Sequence, residues 1–237
     1  MCYNNVMNWG IEMLYVHNLM KKYGNNETLN ILDGVNLEVK EAVWCRIVGP
    51  SGTGKSTLLK CIAGLLKPDD GSVRMLNHDI YSMTEEARSN FRRTNIGFIF
   101  QDFKLLSHYS VLENVIMPLL YDKDRKWLME KAKDLLKLVG IPESLHNRLP
   151  DSLSGGEKQR VAIARSIIGD PEIILCDEPT GNLDTKNRDR IIELLLNIQK
   201  RGTTIICVTH DLEVAEKGDC VYRLNEGLLT KEEMIHL

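Results

Sequence analysis

Apolar residues in this chain arrive in two rhythms. Residues 43–48, 173–176 and 204–208 are short, nearly unbroken apolar runs. A strand that is apolar at almost every position is buried on both faces, as strands are inside a parallel sheet. Residues 96–100 form a fourth strand candidate with a weaker run. Residues 126–139 keep a helical spacing instead, with apolar positions three and four apart. Strands alternating with helices predict an α/β fold. Between residues 104 and 168 the pattern turns helix-rich, punctuated by Gly140-Ile141-Pro142 and Leu149-Pro150. That stretch is read as a helical lobe inserted into a sheet domain, with no repeats and no low-complexity linkers.

The first strand-like run is 13–16, so residues 1–12 read as an N-terminal extension and 13–237 as one domain. The N-terminus has neither the basic region nor the long apolar segment of a secretory signal. No apolar run reaches the length that spans a bilayer. The expectation is a soluble protein, held at a membrane only through a partner.

Composition changes this picture little. At 237 residues, 43% hydrophobic and 27% charged, the chain is ordinary for a globular protein with a substantial core. Its net charge of -3 argues against nucleic acid as the main partner, which usually brings a basic surface. Six cysteines lie scattered without a CxxC pair, several inside apolar runs, and read as buried free thiols.

Three clusters carry chemistry. Gly49-Pro50-Ser51-Gly52-Thr53-Gly54-Lys55-Ser56-Thr57 follows one predicted strand and precedes a helix-compatible run at 57–66. Glycines there let backbone N–H groups turn inward around phosphate oxygens, and the helix N-terminus adds partial positive charge. Lys55 is placed to reach the β- and γ-phosphates, and the Ser56 hydroxyl to ligate Mg²⁺. The second cluster is an apolar strand ending in Asp177-Glu178. Adjacent residues of an extended chain point to opposite sides, so Asp177 fits a metal role and Glu178 a water-activating one. The third is Leu153-Ser154-Gly155-Gly156-Glu157, which opens a helix. Taken alone it is a serine N-cap with a loose approach. Beside the first cradle it is a second anion site, more than one ATP needs in one fold. The economical explanation is that it closes over ATP held by another chain.

In this order the motifs resemble those of the ATP-binding-cassette (ABC) ATPases, from about residue 13 to 227. The resemblance implies a P-loop NTPase fold: a mixed core sheet, an antiparallel β subdomain and an inserted helical lobe. It identifies residues 49–57 as Walker A, Gln101 as the Q-loop residue, and 153–157 as the signature. Asp177-Glu178 closes Walker B, Asn182-Leu183-Asp184 is the D-loop, and His210 is the switch histidine. By the same resemblance Tyr23 stacks on adenine and Gln101 contributes to Mg²⁺. His210 contacts the γ-phosphate and aligns Glu178, and Asp184 lies at the interface between two ATPase chains. The phrases Ile96-Gly97-Phe98-Ile99-Phe100-Gln101 and Asp177-Glu178-Pro179-Thr180-Gly181-Asn182-Leu183-Asp184 narrow the match. They point to the branch with lipoprotein-releasing, macrolide-export, antimicrobial-peptide and cell-division ATPases.

Two positions depart from that branch. His78 stands in the hairpin Asn77-His78-Asp79 where relatives carry glycine, so a histidine is expected in a turn that needs positive φ. Glu157 replaces a common glutamine. The expectation is an ATP-hydrolysing subunit using ATP and Mg²⁺, dimerising head-to-tail and driving a separate transmembrane permease from the cytoplasmic face. Its cargo would be peptide, lipoprotein or drug-like. The alternative within the same machinery is an ATPase that regulates a membrane or cell-wall complex mechanically. A nucleic-acid machine of the repair or translation classes would show a long coiled-coil insertion or tandem cassettes. The short span from Gln101 to Ser154 argues against the first.

Overall fold

The computed structural model describes residues 12–23, 29–181, 183–210 and 218–232. In chain order, β1 (Glu12–Tyr23) and β2 (Leu29–Lys40) form a long antiparallel pair, followed by β3 (Trp44–Val48) and α1 (Lys55–Ile62). Next come β4 (Asp70–Met75), β5 (His78–Asp79), α2 (Glu85–Asn95) and β6 (Ile96–Ile99). Three helices follow, α3 (Val111–Ile116), α4 (Arg125–Leu138) and α5 (Gly155–Ile167). The chain then runs through β7 (Ile173–Asp177), α6 (Thr185–Gln199), β8 (Thr204–Thr209), β9 (Cys220–Asn225) and β10 (Leu228–Glu232).

Two sheets result. One is antiparallel, in the order β2-β1-β4-β5; the other is mixed, in the order β10-β9-β3-β8-β7-β6. Within the second, β9, β3, β8, β7 and β6 run parallel and only β10 is antiparallel. β3, β7 and β8 are buried at every residue, as their unbroken apolar runs predict. β6 lies at the edge and alternates between buried and half-buried positions, which is why its run is weaker.

Strand alternation sorts the core into two layers. Ile173, Leu175, Ile206 and Val208 face α1 and the antiparallel sheet. Ile174, Cys176, Ile205 and Cys207 face α5, α6 and the helices of residues 104–168. Leu128 and Leu136 of α4 belong to this second layer, so the helical region shares a core with the sheet. Of the five described cysteines, all free, Cys45, Cys61, Cys176 and Cys207 are buried and Cys220 is half-exposed.

Local chemistry sets the element ends. Ser110 and Glu113 form a reciprocal capping box at the start of α3, and the Asp124 carboxylate caps α4. Buried Asn114 donates to the carbonyls of Leu106, Tyr109 and Ser110 and accepts from the Leu106 N–H, stapling the loop ahead of α3. α1 ends four residues earlier than expected. There the N–H groups of Leu65 and Leu66 turn back to Lys60, while the Tyr81 hydroxyl lies 2.6 Å from the carbonyls of Cys61 and Leu66.

The β4–β5 hairpin corrects one expectation. Met75 pairs with His78, and the residues at positive φ are Leu76 (50°) and Asn77 (63°). Two left-handed central residues make a type I′ turn, whose twist matches that of the flanking strands. His78 is the first residue of the returning strand, and its ring meets that of Phe91 edge-on. Of the expected extension 1–12, residues 1–11 lie outside the described residues and Glu12 is the first residue of β1.

Candidate functional site

The carboxyl ends of β3, β7 and β8 converge on one side of the mixed sheet, where open α/β sheets bind ligands. The chain leaves β3 at Val48, turns through 49–54 and enters α1 at Lys55. Gly52 and Gly54 adopt φ of 82° and 98°, a conformation open to glycine, and this turns successive N–H groups inward. Thr53 braces the loop by donating its hydroxyl to the Pro50 carbonyl at 2.9 Å. The Lys55 ammonium is nine-tenths buried and donates to the carbonyls of Gly49 (2.8 Å) and Pro50 (2.9 Å). It also lies 3.9 Å from Glu178 Oε1.

Asp177 and Glu178 meet different partners. Asp177 Oδ1 accepts from the Ser56 hydroxyl at 2.7 Å. Burial pushes the Asp177 carboxyl above its ordinary range, while the Ser56 hydrogen bond and Lys60 oppose the rise. Glu178 sits at φ 50°, with its N–H bonded to the Val208 carbonyl on β8. Its Oε2 lies 2.9 Å from His210 Nδ1 and accepts from the His210 backbone N–H at 3.3 Å. One carboxylate therefore serves the hydroxyl side of the site, and the other joins the lysine to the histidine.

A cleft of about 320 Å³ opens over these groups. Tyr23, Ser51, Gly52, Gly54, Lys55, Ser56, Thr57, Gln101, Glu178 and His210 all line it, whereas Gly49, Pro50 and Thr53 frame the loop behind. Tyr23 is about half exposed, offering a flat aromatic face beside Ile31. A second groove meets the first at Ser56 and Gln101 and is lined also by Lys60, Phe100, Asp177 and Gly155. Ser56, Asp177 and Gln101 offer a hydroxyl, a carboxylate and an amide oxygen. Such an all-oxygen set suits a hard divalent cation.

The remaining expected residues lie outside the first cleft. Ser154 is exposed and caps α5: its N–H and hydroxyl both donate to Glu157 Oε2 at 2.8 Å, and its oxygen accepts from the Glu157 N–H. These bonds hold the Glu157 carboxyl below the usual range. Gly156 is buried, and a Cβ there would fall 2.6 Å from the Asn187 side chain. Asp184 is exposed at the start of α6, accepts from the Asn187 N–H and side chain, and is held low by those bonds. Asn182 and Asp211 lie outside the described residues.

Sequence reasoning missed Ile31, Lys60 and Asn187. Lys60 lies four positions after Ser56 on α1, so the helical repeat places it on the same face. Ile31 and Asn187 carry no comparable signal, because only the packing of separate elements brings them here.

Comparison with known proteins gives this geometry a family. The family described as "ABC transporter" matches residues 32–181. The chain is 42% identical over 222 residues to lipoprotein-releasing system ATP-binding protein LolD 1 of Rhodopirellula baltica, covering 92% of this chain and 96% of that protein. It is 38% identical over 224 residues to macrolide export ATP-binding/permease protein MacB of Bdellovibrio bacteriovorus, covering 94% of this chain but 34% of that longer protein. Among solved structures, the dimeric post-hydrolysis state of the ATP-binding cassette MJ0796 bound to ADP and Pi superposes with a TM-score of 0.88. It is 37% identical, with 95% of this chain and 100% of that chain covered. A phosphate loop, two acids with separate partners and a histidine on the second acid thus occur in a chain matched along most of its length. The chain belongs to the ABC transporter family, as an ATP-hydrolysing ATP-binding cassette.

Proposed function

We propose that two copies of this chain close head-to-tail around two ATPs, on the inner face of a membrane, to drive a separate permease. One observation carries this reading: Lys55, Ser56, Gln101, Glu178 and His210 share one cleft, while Ser154 and Asp184 stand exposed outside it. A single chain therefore presents a phosphate-binding half-site in one place and an exposed serine-capped helix start in another. The neighbour MJ0796 is a dimer bound to ADP and Pi, which supports the arrangement.

In this assembly Tyr23 stacks on adenine, and the backbone of residues 49–57 wraps the phosphates. Lys55 gives up its loop carbonyls for phosphate oxygens. Glu178 positions the attacking water and accepts its proton, and His210 aligns Glu178 and meets the γ-phosphate. ATP and water become ADP and phosphate. Ser56, Asp177 and Gln101 would hold Mg²⁺, which neutralises charge on the phosphates. Ser154, Gly155, Gly156 and Glu157 cap the γ-phosphate bound by the partner, and Asp184 lies across the same interface.

Residues of about 104–168 act as the helical lobe of a single domain spanning 13–237. A groove beside Gln101, lined by Arg93, Phe98, Phe100, Lys104 and Leu119, is the surface offered to the permease. No helix among the described residues is long and apolar enough to cross a membrane, and in MacB the name joins ATP-binding and permease parts. Peptide, lipoprotein or drug-like cargo is proposed on the lipoprotein-releasing and macrolide-export names of the relatives.

Mixing Lys55→Ala chains with Ser154→Arg chains tests the shared site. Each variant alone should fail to hydrolyse ATP, and the mixture should rebuild at most one working composite site per heterodimer. Normal hydrolysis by Ser154→Arg alone overturns the assembly.

A further inference from the structure

Just past Gln101 the backbone is held in a costly shape. Phe103 and Lys104 adopt φ of 61° and 47°, two consecutive left-handed residues of which neither is glycine. Such conformations persist only where the surroundings impose them, and they gather at functional and switching segments. Here local backbone bonds shape the turn, from the Phe103 N–H to the Phe100 carbonyl at 3.1 Å and from the Lys104 N–H to the Asp102 carbonyl at 2.6 Å. One side chain remote in sequence grips it from outside. Arg165, on the last turn of α5, donates Nη1 to the Lys104 carbonyl at 2.5 Å and Nη2 to the Phe103 carbonyl at 2.6 Å.

Nothing else accounts for that guanidinium. Among the described residues no carboxylate pairs with it, and burial alone pulls its pKa below the ordinary arginine value. A partly buried cation committed to two main-chain carbonyls is expensive unless the geometry it enforces is needed. The planar fork of arginine spans two successive carbonyls, which a lysine ammonium cannot do with the same rigidity. Arg165 lies eleven residues beyond Ser154 on one continuous helix, roughly 16 Å along its axis at the usual rise. It also lines the groove beside Phe100 and Lys104.

We propose that Arg165 is a positioning residue, a latch that ties the strained backbone after Gln101 to the helix bearing the Ser154–Glu157 turn. Anything that presses on the groove then moves Gln101 and the signature turn together. The latch rests on the proposed roles of Gln101 and Ser154, but its first readout does not. With the latch removed, Phe103 and Lys104 relax toward ordinary backbone and the loop opens, while Tyr23 and the phosphate loop are untouched.

The experiment compares the full-length chain with Arg165→Ala and Arg165→Lys. Timed trypsin digestion with mass spectrometry follows cleavage after Lys104, using cleavage after exposed Lys200 as an internal standard. Cleavage after Lys104 should rise ~10-fold relative to Lys200 in Arg165→Ala, the scale of one lost coupling contact. The turnover number should fall by a similar factor with KM for ATP changed less than ~2-fold. Arg165→Lys, which keeps the charge and spares the fold, should fall between. An unchanged cleavage ratio overturns the latch, and so does equal acceleration at both lysines, the mark of general destabilisation. Glu178→Gln is the separate control: normal turnover in that variant condemns the proposed site, whereas the cleavage ratio judges Arg165 by itself.

Discussion

Glu178 follows Asp177 directly, yet burial and hydrogen bonding give the two acids different work. Asp177 ends β7 on the α1 face, where the Ser56 hydroxyl meets it. Glu178 has already left the strand at positive φ, and that turn carries its carboxylate to His210 and Lys55. Holding a glutamate in left-handed backbone costs on the order of 1–2 kcal/mol. Its N–H bond to Val208 and the His210 contacts oppose that cost. Glu178→Gln keeps the size of the side chain and one acceptor oxygen but removes the base. ATP binding should persist while turnover falls by at least ~10²-fold, the usual worth of a general base. Phosphate-release assays beside nucleotide-binding measurements check both halves of this outcome. Both acids were apparent in the chain itself, because an apolar strand ending in Asp-Glu can be read from six or seven letters. The φ of Glu178 was not, since it depends on the strand beside it.

At the scale of elements, α5 carries three separate contacts. Its N-terminus is closed by the Ser154–Glu157 capping box, Gly156 presses against Asn187 of α6, and Arg165 grips the loop after Gln101. The glutamate at position 157, a departure from its branch, closes the box as well as a glutamine would and adds a charge at the positive end of the helix. Glu157→Ala should destabilise the chain by about 1 kcal/mol at neutral pH, the typical worth of a capping interaction. The folded Glu157 pKa is lowered, so this contribution exists above the unfolded value of about 4.3 and disappears as pH falls through the folded one. Urea midpoints of the two proteins should therefore converge on acidification, and a constant gap would mean that the charge plays no part. The helix start could be anticipated from Ser154 and the glycines alone. Its contacts with α6 and with the loop could not, because Asn187 and Lys104 are remote in sequence.

For the molecule as a whole, one apolar layer runs from the helices of residues 104–168 into the mixed sheet. Leu128 and Leu136 on α4 belong to the same buried cluster as Ile174 and Cys207. An inserted lobe with its own core would melt by itself, whereas a lobe that shares the core melts with the sheet. Leu128→Ala, at a fully buried position, should cost about 2–5 kcal/mol and lower the single transition of the entire chain. Calorimetry resolving two transitions, one unmoved by the substitution, would show the lobe to be independent.

What this sequence determines by itself is local. Runs buried on both faces announce the parallel strands, glycines followed by Lys55-Ser56 announce a phosphate cradle, and Ser154 announces a helix start. Each is set by neighbours a few residues away, where the chain cannot avoid its own backbone and side-chain preferences. Tertiary structure decided what those pieces meet. It put the positive φ of the hairpin on Leu76 and Asn77, brought Asp177 to Ser56 and Glu178 to His210, and laid Arg165 across the loop after Gln101. These meetings follow from how strands order within a sheet and how helices seat against it. That order is fixed by burial summed over the whole core, which no short window of sequence contains.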